Sequence, residues 1–282
     1  MARPLESLAQ IAAGYDAVVL DQWGVLHDGS APYAAAPGCL VALKAAGTRL
    51  AVLSNSGKRA GPNAARIAAM GFGVDLLETV MTSGEALWQD IAAGRVPTRR
   101  LCPIERDRGD AAAWAQGLDV ALTDSVAEAD AILLMGLPDS AAQAPFTSLL
   151  ATALVRGIPV LCTNPDRASP RAGGITVASP GALAHAHAAA GGTVDFYGKP
   201  HLPIFRAVEA ALDLSGARIL MVGDSLEHDI AGAKAAGWDA VLVTGGLHAT
   251  AFDDPAPQVE ILACLAEAEG APLPDYILPE LR

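Results

Sequence analysis

Apolar residues in this chain come in short unbroken blocks separated by amphipathic stretches. The blocks at Val18–Asp21, Arg49–Ser54 and Thr79–Thr82 predict strands, and the stretches Pro37–Ala46, Lys58–Met70 and Gly84–Ala93 predict the helices that follow them. Gly47 and Gly71 stand where two of these helices should stop. Strands that are apolar throughout and alternate with helices imply a parallel sheet covered on both faces. The expected fold is therefore α/β, with a Rossmann-like, doubly wound parallel sheet.

From about Leu87 the pattern weakens. An Arg-rich stretch, Arg95–Arg108, leads into strands at Val120–Thr123 and Ala131–Met135. A helix near Phe146–Arg156, a strand at Pro159–Thr163, and a loop from Asn164 to Arg167 with further Pro and Gly follow. Ile175–Ala178 reads as a strand and Pro180–Ala190 as a helix. Strong strands resume at Asp195–Tyr197, Arg218–Val222 and Ala240–Val243. This order predicts a discontinuous core, residues 1–86 and 191–282, interrupted by an inserted α/β domain at 87–190. Insertion of this kind is tolerated where chain ends lie close together.

Composition narrows the possibilities. The chain has 282 residues, of which 52% are hydrophobic and only 5% aromatic, so a sizeable core must be built mainly from Ala, Val, Leu and Ile. A net charge of −12 argues against nucleic acid and anionic membrane as partners. No stretch of about 18 residues is apolar enough to span a bilayer, and the N-terminus lacks the basic-then-apolar pattern of a secretory leader. Cys39, Cys102, Cys162 and Cys264 are far apart, with no C-x-x-C spacing. Reduced thiols in a cytoplasmic protein are the expectation.

Chemistry concentrates where strands end. Asp21 closes the first apolar run, and Gly223-Asp224 closes Ile219-Leu220-Met221-Val222, with Asp229 five residues on. In an open parallel sheet the carboxyl ends of the strands line the ligand crevice. Three carboxylates there suit a hard divalent cation such as Mg²⁺, and Asp21 can also attack phosphorus. Ser54, Asn55 and Ser56 end another strand ahead of a helix, whose free N–H groups favour an anion. Lys199, in Tyr197-Gly198-Lys199-Pro200, supplies a cation to balance phosphate and Asp21. No P-loop and no dinucleotide fingerprint is present. His185 and His187, two apart, do not share a helix face and so predict no metal pair. Trp88, Trp114 and Trp238 are expected in packing roles.

Taken in order, Asp21 with Gly24-Val25-Leu26, Ser54-Asn55, Lys199, and Gly223-Asp224 with Asp229 resemble the four signature segments of the haloacid dehalogenase superfamily. The insert, with Thr163-Asn164-Pro165-Asp166 and Pro180-Gly181-Ala182, resembles the large α/β cap of its p-nitrophenyl phosphatase and sugar or nucleotide phosphatase branch. The resemblance implies an aspartyl-phosphate on Asp21, Mg²⁺ held by Asp21, Asp224 and the Trp23 main-chain carbonyl, and phosphate contacts from Ser54 and its neighbours. Lys199 would neutralise charge, and Asp229 would position Lys199 or a metal-bound water. Asn164 and Asp166 of the cap loop are candidates to meet a small phosphorylated metabolite. A cap-mediated homodimer also fits the resemblance.

Trp23 departs from the pattern. Phosphatases of this family usually carry Asp there, as general acid and base. An indole N–H donates but does not titrate, so turnover of alkyl esters should be slow unless another group substitutes. His27 and Asp28 are candidates, since a His beside a carboxylate in a polar loop can titrate near neutrality. The same substitution leaves open a protein that binds a phosphorylated metabolite with little turnover. It also leaves open dehalogenation, which uses no metal and therefore has no need of the Gly223-Asp224…Asp229 acids.

Overall fold

The computed structural model describes residues 2–73, 75–138, 144–171 and 175–282. The chain divides into two compact units. One comprises Met1–Ser54, Asn63–Met81 and Lys199–Arg282, and the other comprises Asn55–Pro62 and Thr82–Gly198.

The first unit is built on a seven-stranded sheet in the order Arg3–Pro4, Tyr276–Leu278, Asp239–Val243, Ile219–Gly223, Ala17–Leu20, Leu50–Ser54, Thr79–Thr82. Every pairing from Arg3–Pro4 through Leu50–Ser54 is parallel. All residues of Ala17–Leu20 and Ile219–Gly223 are buried. That is why these strands read as continuous apolar runs: both faces of a parallel sheet are covered. Helices Ala36–Ala45, Leu202–Ala211 and Gln258–Glu269 contribute Leu40, Phe205 and Leu262 to the buried set. From Ala17–Leu20 the chain first builds outward through Leu50–Ser54 to Thr79–Thr82. Later it returns to place Ile219–Gly223 on the other side. The reversal falls between Ala17–Leu20 and Ile219–Gly223, where ligands bind in open α/β sheets.

The second unit has its own five-stranded sheet in the order Val194–Phe196, Val160–Cys162, Ala131–Leu134, Arg100–Ile104, Ala121–Leu122, with all pairings parallel. An antiparallel hairpin joins Ala168–Arg171 to Ile175–Ala178. Three expectations change here. The strand expected to resume the core sheet at Asp195–Tyr197 instead edges this second sheet, because Val194–Phe196 registers on Val160–Cys162. Arg100–Ile104, hidden within the Arg-rich stretch, is an internal strand: Leu101, Cys102 and Ile104 are buried between flanking charges. Its Pro103 lies beyond the two-residue edge strand Ala121–Leu122, so the missing N–H costs no pairing on that side. The loop expected after Arg167 forms the first arm of the hairpin, while Gly173 and Gly174 lie outside the described residues.

Trp88, Trp114, Trp238, His185 and His187 take packing roles. Trp114 is buried and donates to the Gly84 carbonyl at 2.7 Å, and Trp238 is buried and donates to Glu209 at 2.8 Å. Trp88 donates to the Gln116 carbonyl at 3.1 Å and lies under the Arg59 guanidinium. His185 stacks on Phe196 at 4.7 Å, while His187 is buried with its ring where a Gly192 side chain would stand.

Candidate active site

Asp21, Asp224, Asp229 and Lys199 all belong to the first unit, and the strands explain how they meet. Val222 and Leu20 are register partners, and the Asp21 N–H donates to the Val222 carbonyl at 2.9 Å. Asp21 and Asp224 therefore emerge side by side where two buried strands end. After Ile219–Gly223 the chain makes a wide turn over Leu226–Ile230, in which Ile230 N–H reaches back to the Ser225 carbonyl at 3.1 Å. The turn is capped by the Ser225 hydroxyl, which accepts from His228 N–H. This winding folds Asp229 back beneath Asp224. One carboxylate oxygen from each of Asp21, Asp224 and Asp229 lies within 4.8 Å of the others.

The three acids are not equivalent. Asp229 is fully buried and fully engaged: Oδ1 receives the Lys199 ammonium at 2.6 Å, and Oδ2 accepts the N–H groups of Asp224 and Ser225, each at 3.1 Å. Lys199 bridges Asp229 and Asp21, with Nζ 2.7 Å from Asp21 Oδ1. Asp224 accepts Leu247 N–H through Oδ2 at 2.8 Å.

Glycine makes room for these carboxylates. A Cβ on Gly24 would fall 1.7 Å from Asp224 Oδ2, one on Gly246 2.4 Å from the same atom, and one on Gly223 2.2 Å from the Asp229 side chain. Sequence reasoning missed Gly246 and the Leu247 N–H. The Thr244-Gly245-Gly246 segment directly after the strand Asp239–Val243 was the available signal.

Charge in this cluster is unbalanced, with three acids against one ammonium. Burial raises the Asp21 carboxyl, Lys199 opposes that, and Asp229 adds to it, leaving Asp21 at about 6. Asp224 is pushed well up by burial and then by the charges of Asp21 and Asp229. Burial pulls Lys199 down, but attraction to Asp21 and Asp229 outweighs it and holds the ammonium charged. A divalent cation fits this donor set: hard oxygen ligands, crowded negative charge, and a cradle kept open by glycine.

Asp21 titrates higher folded than unfolded, so its contribution to the metal-free protein is present at acid pH and lost as pH rises through about 6. A bound cation reverses that loss. Saturating Mg²⁺ should raise the melting temperature by on the order of 5 °C at pH 7.5. The rise should be much smaller at pH 5, where protons compete for the same oxygens. An equal shift at both values, read by calorimetry, would contradict the assignment.

Ser54 is the last residue of Leu50–Ser54, the strand next to Ala17–Leu20, and so leaves the sheet at the same end as Asp21. Asn55, Ser56, Asn164 and Asp166 lie in the second unit. Asn55 Nδ2 donates to Asp166 at 2.7 Å, and Asp166 N–H donates to Asn164 Oδ1 at 3.1 Å. Ser56 and Asn164 line a cavity of about 130 Å³ with Lys58, Arg106, Ser169 and Ser179.

His27 differs from expectation. It is wholly buried, its Nδ1 accepts Gly29 N–H at 3.0 Å, and burial followed by the Arg66 charge lowers it to about 4. An imidazole so held is neutral at physiological pH with its lone pair already used. The expected titration near neutrality is therefore corrected, and with it the role of His27 as substitute acid or base. Trp23 is 39% exposed, and its ring lies against Gly29.

Carboxylates meet across a topological switch point, with a buried lysine bridging two of them, at the ligand end of an α/β sheet. A family model described as haloacid dehalogenase-like hydrolase matches residues 15–237, and a second, HAD-hydrolase-like, matches 196–281. The chain belongs to the haloacid dehalogenase-like hydrolases. It is similar to a glycerol-3-phosphate phosphatase of Gallus gallus, at 27% identity across 86% of this chain and 83% of the relative. The crystal structure of a haloacid dehalogenase-like hydrolase from Brucella suis superposes with a TM-score of 0.79 at 29% identity, covering 99% of this chain and 100% of that one. A glycerol phosphate phosphatase from Mycobacterium tuberculosis, solved in complex with calcium, shares the fold with a TM-score of 0.69. Its identity is 24%, over 84% of this chain and 68% of that one. Among the described residues, no helix is long and apolar enough to cross a membrane.

Proposed function

We propose that this enzyme is a Mg²⁺-dependent phosphatase that hydrolyses a small phosphorylated metabolite through an aspartyl-phosphate on Asp21. The observation that carries the reading is the Asp21–Lys199–Asp229 chain of contacts at 2.7 and 2.6 Å beside Asp224. Phosphatases of glycerol-3-phosphate and dihydroxyacetone phosphate are among its relatives, which supports a substrate of that size and charge.

Asp21, Asp224 and the Trp23 main-chain carbonyl would hold the cation. Bound there, it would supply positive charge to the phosphoryl oxygens and the attacking carboxylate. Lys199 holds Asp21 ionised and offers its charge to the same oxygens, and Asp229 keeps Lys199 in place. Ser54 donates to the phosphoryl group, with Asn55 and Ser56 beside it in the chain. One Asp21 oxygen attacks phosphorus as the ester P–O bond breaks. The leaving oxygen departs as its anion or takes a proton from solvent, because the indole of Trp23 has none to give. Water then attacks the phosphorus of the aspartyl-phosphate, freeing phosphate and restoring Asp21. The work is positioning and electrostatic stabilisation. The second unit would serve as a cap, with Asn164 and Asp166 selecting the metabolite.

Phosphate release from a panel of esters graded by leaving-group acidity tests this directly. EDTA should stop release and Mg²⁺ restore it, with rates falling steeply as the leaving group becomes more basic. Release that persists in EDTA would remove the cation from the reading.

A further inference from the structure

The second unit repeats, on its own smaller sheet, the rule that places Asp21 and Asp224 in the first. Its chain lays down Arg100–Ile104 and steps outward to the edge strand Ala121–Leu122. It then returns to place Ala131–Leu134 on the other side, with Val160–Cys162 beyond. The direction of winding therefore reverses between Arg100–Ile104 and Ala131–Leu134. In an open parallel sheet a ligand crevice opens outside the carboxyl ends of the strands at such a reversal. Arg106 stands two residues past Ile104, Gly136 two past Leu134 and Asn164 two past Cys162. All three line the cavity of about 130 Å³.

The backbone is drawn tight there. A Cβ on Gly57 would lie 2.3 Å from the Met135 carbonyl oxygen, and one on Gly136 would lie 2.8 Å from the Arg106 nitrogen. Glycine at both positions lets three loops meet around one small space. The groups facing that space favour an anion. Among the described residues that line it, Lys58 and Arg106 bring two positive charges against the one carboxylate of Asp110, whose Oδ1 is 3.0 Å from Lys58 Nζ. In a chain of net charge −12, this local excess of positive charge runs against the average. The Ser169 and Ser179 hydroxyls, also on the lining, share one hydrogen bond. That bond uses one of their two protons, and the other can serve a ligand oxygen.

We propose that this cavity is an anion-binding site, taking a carboxylate or phosphoryl group at the switch point of the second sheet. Arg106 and Lys58 attract the group and the serine pair donates to it. Asp110 sets the strength by competing for Lys58. The anion is either free in solution or the non-reacting end of a metabolite.

Inorganic phosphate titrated into the protein in EDTA at low ionic strength, followed by calorimetry, tests the site without turnover. Lys199 is matched by Asp21 and Asp229, so their cluster offers no excess positive charge under these conditions. Binding should saturate, and added KCl should weaken it. Arg106→Gln should weaken it about tenfold, as expected for one charged hydrogen bond. Asp110→Asn should tighten it about threefold, by removing a like charge that also occupies Lys58. A merely structural role for Asp110 gives no such gain. Absence of saturation, unchanged affinity in Arg106→Gln, or weaker binding in Asp110→Asn would overturn the proposal.

Two esters then identify the source of the anion, on the phosphatase reading above. Glycerol 3-phosphate ends in a hydroxyl and 3-phosphoglycerate in a carboxylate. If Arg106→Gln raises KM about tenfold for the acid alone, the site holds the far end of the metabolite. If KM is unchanged for both while phosphate affinity is lost, the site holds a separate small anion. An equal rise for both contradicts recognition of an anion. If neither ester releases phosphate, the phosphatase reading fails, and the calorimetry still decides the site.

Discussion

Asp21→Asn should lower kcat for every phosphate ester by at least about 10⁴, because the proposed mechanism then loses its nucleophile and not merely a binding contact. The substitution is close to isosteric, so the sheet end that carries it survives. The metal-free variant should in fact melt higher than the wild type near pH 7.5. Asp21 is held at about 6 by burial and by its acidic neighbour Asp229, so ionising it at that pH works against the folded state. A neutral amide removes that repulsion, at the cost of one contact to Lys199. Activity and stability therefore move in opposite directions, as expected where function is built from crowded charge. Steady-state kinetics and calorimetry on the same preparation check both signs. Activity comparable to the wild type would mean that Asp21 is not the nucleophile.

Trp23→Asp is the converse experiment. It should raise kcat for an alkyl phosphate such as glycerol phosphate by about 10² or more, within the range of general acid–base assistance. Acyl phosphates, whose leaving groups need no proton, should gain little. The geometry favours this outcome: residue 23 is two along from Asp21, it is partly exposed, and the nearest imidazole, His27, is buried with its lone pair engaged. The Asp28 carboxylate of the same loop accepts the Ser30 and Ala31 N–H groups. A Trp23→Asp variant with an unchanged dependence on leaving-group acidity would show that proton transfer does not limit the reaction.

Much of this site is legible along the chain because parallel sheets impose a simple rule. Strands covered on both faces must be apolar throughout, so the first carboxylate after such a run marks the ligand end of the sheet. Asp21 and Asp224 announce themselves in that way, and Asp229 follows five residues after Asp224. Lys199 is less visible locally, since a lysine after glycine is common. Its burial between two carboxylates is a fact of packing. The paired glycines after Asp239–Val243 hint at a close approach near Gly246, but what it avoids, the Asp224 side chain 22 residues away, is not legible locally.

The second sheet was harder to read. Arg100–Ile104 is short and bracketed by arginines, so its apolar signal is diluted to three buried residues. Val194–Phe196 is half-exposed and looks like any edge strand; which sheet it joins depends on a register with Val160–Cys162 that no local pattern encodes. His27 shows the same limit from the chemical side. A histidine next to an aspartate in a polar loop reads as titratable, yet Asp28 turns to cap Ser30 and Ala31 while the imidazole turns inward.

The order of residues alone determined the α/β class, the strand ends that bear acids, and the presence of an indole where an acid would help. Those features depend on local apolar periodicity and on residue chemistry, both of which are written in sequence. Only the tertiary structure decided how the acids share one lysine, which glycines leave room for carboxylates, and whether an imidazole faces solvent. Each of those is a matter of distance between groups remote along the chain, and such distances are set by how buried strands register and pack.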